Sequence, residues 1–324
     1  MKYSREFSKV AQFIKEKNNI LLAVHERPDG DALGSMIAMF SLLRKFNDKK
    51  VVMFSKDPVP PHLAFLPYSG HIASCRSEFV PDLFFGFDYG DFSRLGIDYN
   101  SLSGSVIVTF DHHPPLRQMG DVLIIDTSAS STCEIVYNFI QETGYEIFPR
   151  MALALLTGIF TDTGGFAHVN TSVRTLRAAG DLLRYGVSMQ KLHRHTFSRK
   201  SPETLRVWGY VLKDILLDSD VGMTYVAISL DRFRELGSLL DDFEGIVNII
   251  NMPPNVRFSL LLIEHKQGVI KGSLRSEPFQ GVDVSSIARA MGGGGHKYAA
   301  GFERNGETLK SVLERVKVVA RGEI

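Results

Sequence analysis

Ile20-Leu21-Leu22-Ala23-Val24-His25-Glu26-Arg27-Pro28-Asp29-Gly30-Asp31-Ala32-Leu33-Gly34-Ser35 is the stretch whose reading decides the fold. Its first five residues form a short, continuous apolar run rich in branched side chains, the pattern of a strand buried on both faces. Pro28 and Gly30 then impose a turn, since proline fixes φ and glycine frees it. Beyond the turn, Leu33, Ile37, Phe40 and Leu43 recur at helical spacing, so Ala32 to Arg44 reads as a helix. One imidazole and two carboxylates therefore fall in a strand-to-helix loop, where open α/β sheets bind ligands. His25, Asp29 and Asp31 suit a Mn²⁺, Fe²⁺ or Zn²⁺ ion. They equally suit a capped turn, with the aspartates at the helix start and His25 as a polar strand end.

Working outward, the alternation continues. Arg5 to Lys17 reads as an amphipathic helix, Val51–Phe54 as a strand, and Leu83–Phe87 as a strand ending on Asp88. Ser105–Phe110 is a strand ending on Asp111, and Val122–Ile125 a short one. Helices are expected over Ser131–Glu142, Arg150–Phe160 and Ser172–Tyr185. Continuous apolar strands alternating with helices predict an α/β fold with a doubly wound, mainly parallel N-terminal sheet. A basic stretch near 187–205, with Lys191, His193, Arg194, His195, Arg199 and Lys200, reads as a connecting helix. Beyond it, strands at Met223–Ser229, Arg257–Glu264 and Val269–Leu274, with helices near Asp283–Met291 and Thr308–Arg321, predict a smaller C-terminal α/β domain across a cleft. The expected division is 1–186, linker 187–205 and 206–324.

A chain of 324 residues, 44% hydrophobic, has core enough for two such domains. A formal net charge of +1 argues against gripping long duplex nucleic acid through a broad basic field. The two cysteines, Cys75 and Cys133, offer no C-x-x-C pair, which excludes a disulfide framework and a thiolate zinc site. Met1 to Asn19 holds no apolar signal core and no run reaches membrane-span length, so the expectation is a cytoplasmic protein without a membrane partner.

Three further sites close elements of the first domain: Asp88 with Asp91 and Arg94, Asp111-His112-His113-Pro114-Pro115, and Asp162 in Leu156-Thr157-Gly158-Ile159-Phe160-Thr161-Asp162-Thr163-Gly164-Gly165. Each alone has an ordinary structural explanation as a cap or loop scaffold. Together they gather carboxylates and imidazoles at one sheet edge, an arrangement whose desolvation and repulsion two shared divalent ions would offset.

His25-x-x-Pro28-Asp29-Gly30-Asp31, Asp88-x-x-Asp91-x-x-Arg94, Asp111-His112-His113 and Gly158-Ile159-x-Thr161-Asp162 resemble, in order, the four motifs of the DHH phosphoesterases. Gly292-Gly293-Gly294-Gly295-His296-x-x-Ala299-Ala300-Gly301-Phe302 resembles the glycine-rich motif of their C-terminal DHHA1 domain. The similarity spans nearly the whole chain and is nearest the compact nanoRNase and cyclic-dinucleotide branch.

The resemblance implies two divalent cations of the Mn²⁺ type, one on His25, Asp29 and Asp88, the other on Asp31, Asp88, His112 and Asp162. It implies catalytic assistance from Asp111, orienting its neighbours, and from His113, facing the substrate phosphate. Hydroxide would attack phosphorus in line, and His113 or a metal-bound water would protonate the leaving 3′ oxygen. Arg275, Gly293, Gly294, Gly295 and His296 would bind the far phosphate of a short ligand; Tyr298, Phe279 or Phe302 are the candidates to stack a base, although aromatics at such places more often belong to the core. The implied activity is hydrolysis of short oligoribonucleotides and dinucleotides of the pApA or pGpG kind to mononucleotides, cyclic di-AMP being a further candidate. The alternatives are a 3′-phosphoadenosine 5′-phosphate phosphatase and, in another class, a non-catalytic nucleotide or RNA sensor. Related compact members often pair, so a homodimer belongs to the same expectation.

Overall fold

The computed structural model describes residues 2–74, 79–114, 119–196, 200–243 and 245–323; Cys75, Pro115 and Arg199 fall outside them. The chain divides into two compact units, Met1–Arg199 and Lys200–Ile324.

The first unit runs α1 (Ser4–Glu16), β1 (Asn19–Val24), α2 (Gly30–Leu43), β2 (Lys50–Phe54), β3 (Ile72–Ala73), β4 (Leu83–Phe87), β5 (Val106–Asp111), β6 (Val122–Ile125), α3 (Thr132–Thr143), α4 (Pro149–Asp162), α5 (Val173–Leu183) and α6 (Met189–Thr196). Its six strands lie in the order β3-β2-β1-β4-β5-β6, every pair parallel. The order reverses between β1 and β4, so the crevice beyond their carboxyl ends is the switch point of the sheet.

Alternate strand residues feed two cores. Ile20, Leu22 and Val24 join Leu83, Phe85 and Phe87 under the helices. Leu21, Ala23 and Phe84 pack on the opposite face with Tyr89, Phe92, Leu95 and Leu102. Most of the latter come from the stretch after β4, including the 3₁₀ turns Phe92–Leu95 and Tyr99–Leu102. Helix α2 departs from the single apolar face its spacing suggests, because every residue from Gly30 to Leu43 is buried. Small residues cover its remaining sides, and a helix apolar or small all round belongs in a core. Next to Gly34, a Cβ would sit 2.5 Å from the Ala154 carbonyl oxygen, so α2 and α4 approach at backbone distance. Leu192 of α6 is buried in the same core and His195 stacks on Phe65, so much of the basic stretch packs on the first unit.

The second unit holds α7 (Pro202–Lys213), β7 (Leu216–Asp218), β8 (Met223–Ile228), α8 (Leu230–Glu235), α9 (Ile246–Ile250), β9 (Phe258–Lys266), β10 (Val269–Arg275), α10 (Val284–Ala290), β11 (Gly294–His296), β12 (Ala299–Asn305) and α11 (Leu309–Glu323). The sheet order is β11-β12-β10-β9-β8-β7, antiparallel except for β8 and β9. Leu260 and Leu262 of β9 face residues of α10 and α11, while Leu261 and Ile263 face those of α7 and α9.

The glycine run, expected to meet a far phosphate, is built into the sheet. The Gly292 amide donates to the Arg289 carbonyl and the Gly293 amide to the Ala288 carbonyl at 2.8 Å, closing α10. Gly294 to His296 then form an edge strand against Ala299–Gly301. Glycine is required because a Cβ on Gly293 would lie 2.1 Å from the Gly301 carbonyl oxygen. Phe302 is 5% exposed and packs in the core, the commoner of the two places expected for an aromatic here, and a ring held there offers no face to a base.

Candidate metal centre

The crevice at the switch point collects polar groups from four segments. His25 leaves β1 buried, and its Nδ1 lies 2.7 Å from the Glu26 carbonyl oxygen. That contact orients the ring and turns Nε2 toward Asp29 Oδ2 at 3.9 Å and Asp88 Oδ2 at 3.7 Å. Asp29 divides its carboxylate. Oδ1 caps α2, accepting from the amides of Asp31 and Ala32 at 3.0 Å each, while Oδ2 faces the crevice.

Asp88 is the centre of the group. It follows β4 in the left-handed region, at φ 57°, where a short polar side chain is better tolerated than most. Its amide donates to the Phe110 carbonyl on the adjacent strand at 3.0 Å, which fixes the direction of the buried side chain. Oδ1 then lies 3.5 Å from His112 Nε2 and 3.4 Å from His113 Nδ1. Asp162, the last residue of α4, brings Oδ2 to 3.5 Å from His112 Nε2, and Asp31 Oδ2 is 4.0 Å from it. Three triads each gather donor atoms within 4.8 Å of one another: His25, Asp29 and Asp88; Asp31, His112 and Asp162; Asp88, His112 and His113.

Asp111 stands behind this group. Buried at the end of β5, its Oδ1 accepts from both the amide and Nδ1 of His113 at 2.9 Å, and its Oδ2 accepts from the Gly90 amide at 2.8 Å. It holds the second histidine of the pair.

The electrostatics are unbalanced in a consistent direction. Burial, reinforced by the Asp88 and Asp29 carboxylates, pushes Asp31 well above the ordinary carboxylate range. Burial also raises Asp162 well above that range, against the pull of His112. Burial acts the same way on Asp88, but hydrogen bonds from His113 and His25 overcome it and hold the group well below. His113, whose burial alone would lower it, is pushed up to about 11 by its bonds to Asp111 and Asp88. Crowded carboxylates that resist ionisation beside imidazoles that resist losing a proton are the signature of a pocket short of positive charge. A divalent cation fits this mixed imidazole and carboxylate set.

Residues absent from the sequence reading complete the pocket. Thr132 donates its hydroxyl to Asp88 Oδ1 at 2.9 Å and its amide to Asp31 Oδ2 at 2.6 Å. The Cys133 amide donates to Asp31 Oδ1 at 2.8 Å. The available signal was Ser131 followed three residues later by Glu134, a helix-start pattern that placed α3 but did not say what its amides face.

In the second unit, Arg275 ends β10, its Nε donating to Asn248 Oδ1 at 2.9 Å and a terminal nitrogen to the Leu274 carbonyl at 2.9 Å. Asn251 donates to Gln280 at 3.2 Å, tying α9 to the turn that carries Phe279, which is 86% exposed. Gly294, Gly295 and His296 form exposed β11, and Tyr298 is half-buried.

Comparison with known proteins agrees with the two units. Residues 19–159 match the DHH family, N-terminal domain, and residues 234–322 match the DHHA1 domain. The bifunctional oligoribonuclease and PAP phosphatase NrnA of Thermus thermophilus is 30% identical over 326 residues, covering 100% of this chain and 96% of its own. The protein of that name in Bacillus subtilis is 29% identical, covering 88% of each chain. A crystal structure of an exopolyphosphatase-related protein from Bacteroides fragilis superposes with a TM-score of 0.91 at 25% identity, over 98% of this chain and 96% of that one.

Proposed function

Because the chain belongs to the DHH family and is a hydrolase, we propose that it is a Mn²⁺-dependent phosphodiesterase that cuts short oligoribonucleotides and linear dinucleotides to nucleoside monophosphates. The observation that carries this reading is the convergence on Asp88 of imidazoles and carboxylates from four segments, a cluster short of positive charge.

In this reading His25, Asp29 and Asp88 hold one cation, and Asp31, Asp88, His112 and Asp162 hold the other. When bound, such a pair polarises the phosphoryl oxygens and makes water a nucleophile at neutral pH. The remaining steps belong to the chain. Asp111 holds the His113 ring by Nδ1, so that the ring presents a fixed donor to the scissile phosphate. Water adds to phosphorus and gives up a proton to solvent, the bond to the 3′ oxygen breaks, and His113 delivers a proton to that oxygen and recovers one from solvent. Helices α2 and α4, buried against each other, hold Asp31 and Asp162 at fixed positions beside the crevice.

Arg275, Gly294, Gly295 and His296 are the proposed contacts for a second phosphate, with Arg275 forking onto it. The Gly293 amide is already committed to α10, so Gly293 contributes close backbone approach rather than a donor. Of the three aromatics considered, Phe279 is the most exposed and is the proposed base platform. Arg275→Ala and Phe279→Ala should each raise KM for pApA about tenfold, one stacked base being worth 1–3 kcal/mol. Hydrolysis of bis-p-nitrophenyl phosphate should be unchanged, and equal losses on both substrates would overturn the assignment.

A second reading, phosphatase action on 3′-phosphoadenosine 5′-phosphate, is favoured by the double activity in the names of the two relatives. One experiment separates the readings: purified protein with Mn²⁺, then with EDTA, against pApA, cyclic di-AMP, 3′-phosphoadenosine 5′-phosphate and pyrophosphate. We expect EDTA-sensitive release of AMP from pApA. Binding of pApA without turnover would instead identify a sensor.

A further inference from the structure

The N-terminal turn of α3 touches two carboxylates of the centre at once. Thr132 is fully buried and stands at the first helical position. Its amide reaches Asp31 and its hydroxyl reaches Asp88, at 2.6 and 2.9 Å, while the next amide takes the other oxygen of Asp31. The hydroxyl is not needed to cap the helix, because Ser131 Oγ already accepts from the Glu134 amide at 3.1 Å.

The turn itself is braced from behind. Buried Glu134 accepts from the Ser130 amide at 3.1 Å, the Ser130 hydroxyl at 2.6 Å, the Thr175 hydroxyl at 2.9 Å and Arg174 Nε. Asn170 joins this turn to the end of α4, its Nδ2 donating to the Ser130 carbonyl at 2.9 Å and the Asp162 carbonyl at 3.2 Å. A donor on a braced helix end is a fixed point against which side-chain torsions can be set.

From this we infer that Thr132 is a positioning residue for the cation pair: it sets the Asp31 and Asp88 carboxylates against each other, and so the separation of the two cation positions. The inference rests on the cation reading given above. Asp31 lies in the first turn of α2 and Asp88 follows β4, and among the described residues Thr132 is the one hydrogen-bonded to both side chains. Threonine suits the place because its hydroxyl serves Asp88 while its amide, fixed by the helix, serves Asp31. Losing a hydrogen bond that orients a ligand weakens metal affinity by about 10–100-fold in comparable sites.

The test uses the full chain, with Mn²⁺ titrated into metal-stripped protein by calorimetry. Thr132→Val keeps the amide and shape but loses the hydroxyl; it should bind Mn²⁺ about 10–100-fold more weakly. Its KM for pApA at saturating Mn²⁺ should stay near the wild-type value, because Thr132 is not proposed to touch nucleotide. Thr132→Ser restores a donor and should return Mn²⁺ affinity close to wild type, and it serves as the deciding variant if Thr132→Val does not fold. Wild-type affinity in Thr132→Val would overturn the inference alone, as would a Thr132→Ser protein whose affinity is severely lowered. A wild-type protein that takes up no Mn²⁺ would overturn the cation reading and this inference with it.

Discussion

Replacing Asp88 by asparagine is expected to abolish turnover while leaving the fold intact. The proposed bridging carboxylate contacts three imidazoles and accepts the Thr132 hydroxyl. Asparagine keeps the shape and tolerates the left-handed backbone at this position, but it removes the charge. Losing a shared ligand should remove at least ~4 kcal/mol of transition-state stabilisation, about 10³-fold in kcat/KM. The melting temperature should fall modestly, because hydrogen bonds from His113 and His25 stabilise the Asp88 charge, and relief of the repulsion on Asp31 and Asp162 offsets only part of that loss. Asp88→Ala should also lose turnover and destabilise the protein further than asparagine does, since alanine leaves Thr132 without its acceptor and fits the backbone poorly. Turnover near wild type in Asp88→Asn at saturating Mn²⁺ would overturn the bridging role.

Gly158→Ala is expected to damage both stability and activity. On an open helix face the change would stabilise, since alanine is the better helix former by about 1 kcal/mol. Here the added Cβ would lie 2.3 Å from Cys133 Sγ, 2.8 Å from Asp31 Oδ1 and 3.0 Å from Asp31 Cα. Overpacking of this kind costs about 1–3 kcal/mol, occasionally more, and would push α4 away from α2 and α3. Asp31 and Asp162, on either side of that contact, would then separate, so activity should fall with stability. Cys133→Ala added to Gly158→Ala removes the nearest clash and should recover part of the melting temperature. It leaves Asp31 in contact and should not restore activity. An unchanged melting temperature in Gly158→Ala would show that the helices yield at no cost.

Much of this was legible in the chain before its structure. Strands β1, β4 and β5 announce themselves as short apolar runs, and each ends on a polar residue, so His25, Asp88 and Asp111 could be placed at one sheet edge. Thr132 could not: a serine and threonine run before a helix reads as a cap, and its contacts lie 44 and 101 residues away in sequence. The complete burial of α2 was hidden because Gly34, Ser35 and Ser41 look like a polar face until close helix neighbours cover them. Strand β11 was hidden because glycine is disfavoured in strands, and only its pairing with β12 shows it. Strand β7, three residues long, is below what a periodic pattern can show. Among the described residues no helix is long and apolar enough to cross a membrane, in keeping with the absence of an apolar span in the sequence.

The donors around Asp88 are strung from His25 to Asp162, and the last of them ends α4. During synthesis every strand of the parallel sheet, complete at Ile125, therefore leaves the ribosome before the pocket has all its walls. Capture of the proposed cations would then come late in the birth of the protein rather than seed its folding, and translation in a chelated extract should yield folded chains whose resistance to proteolysis rises when the ion is added back.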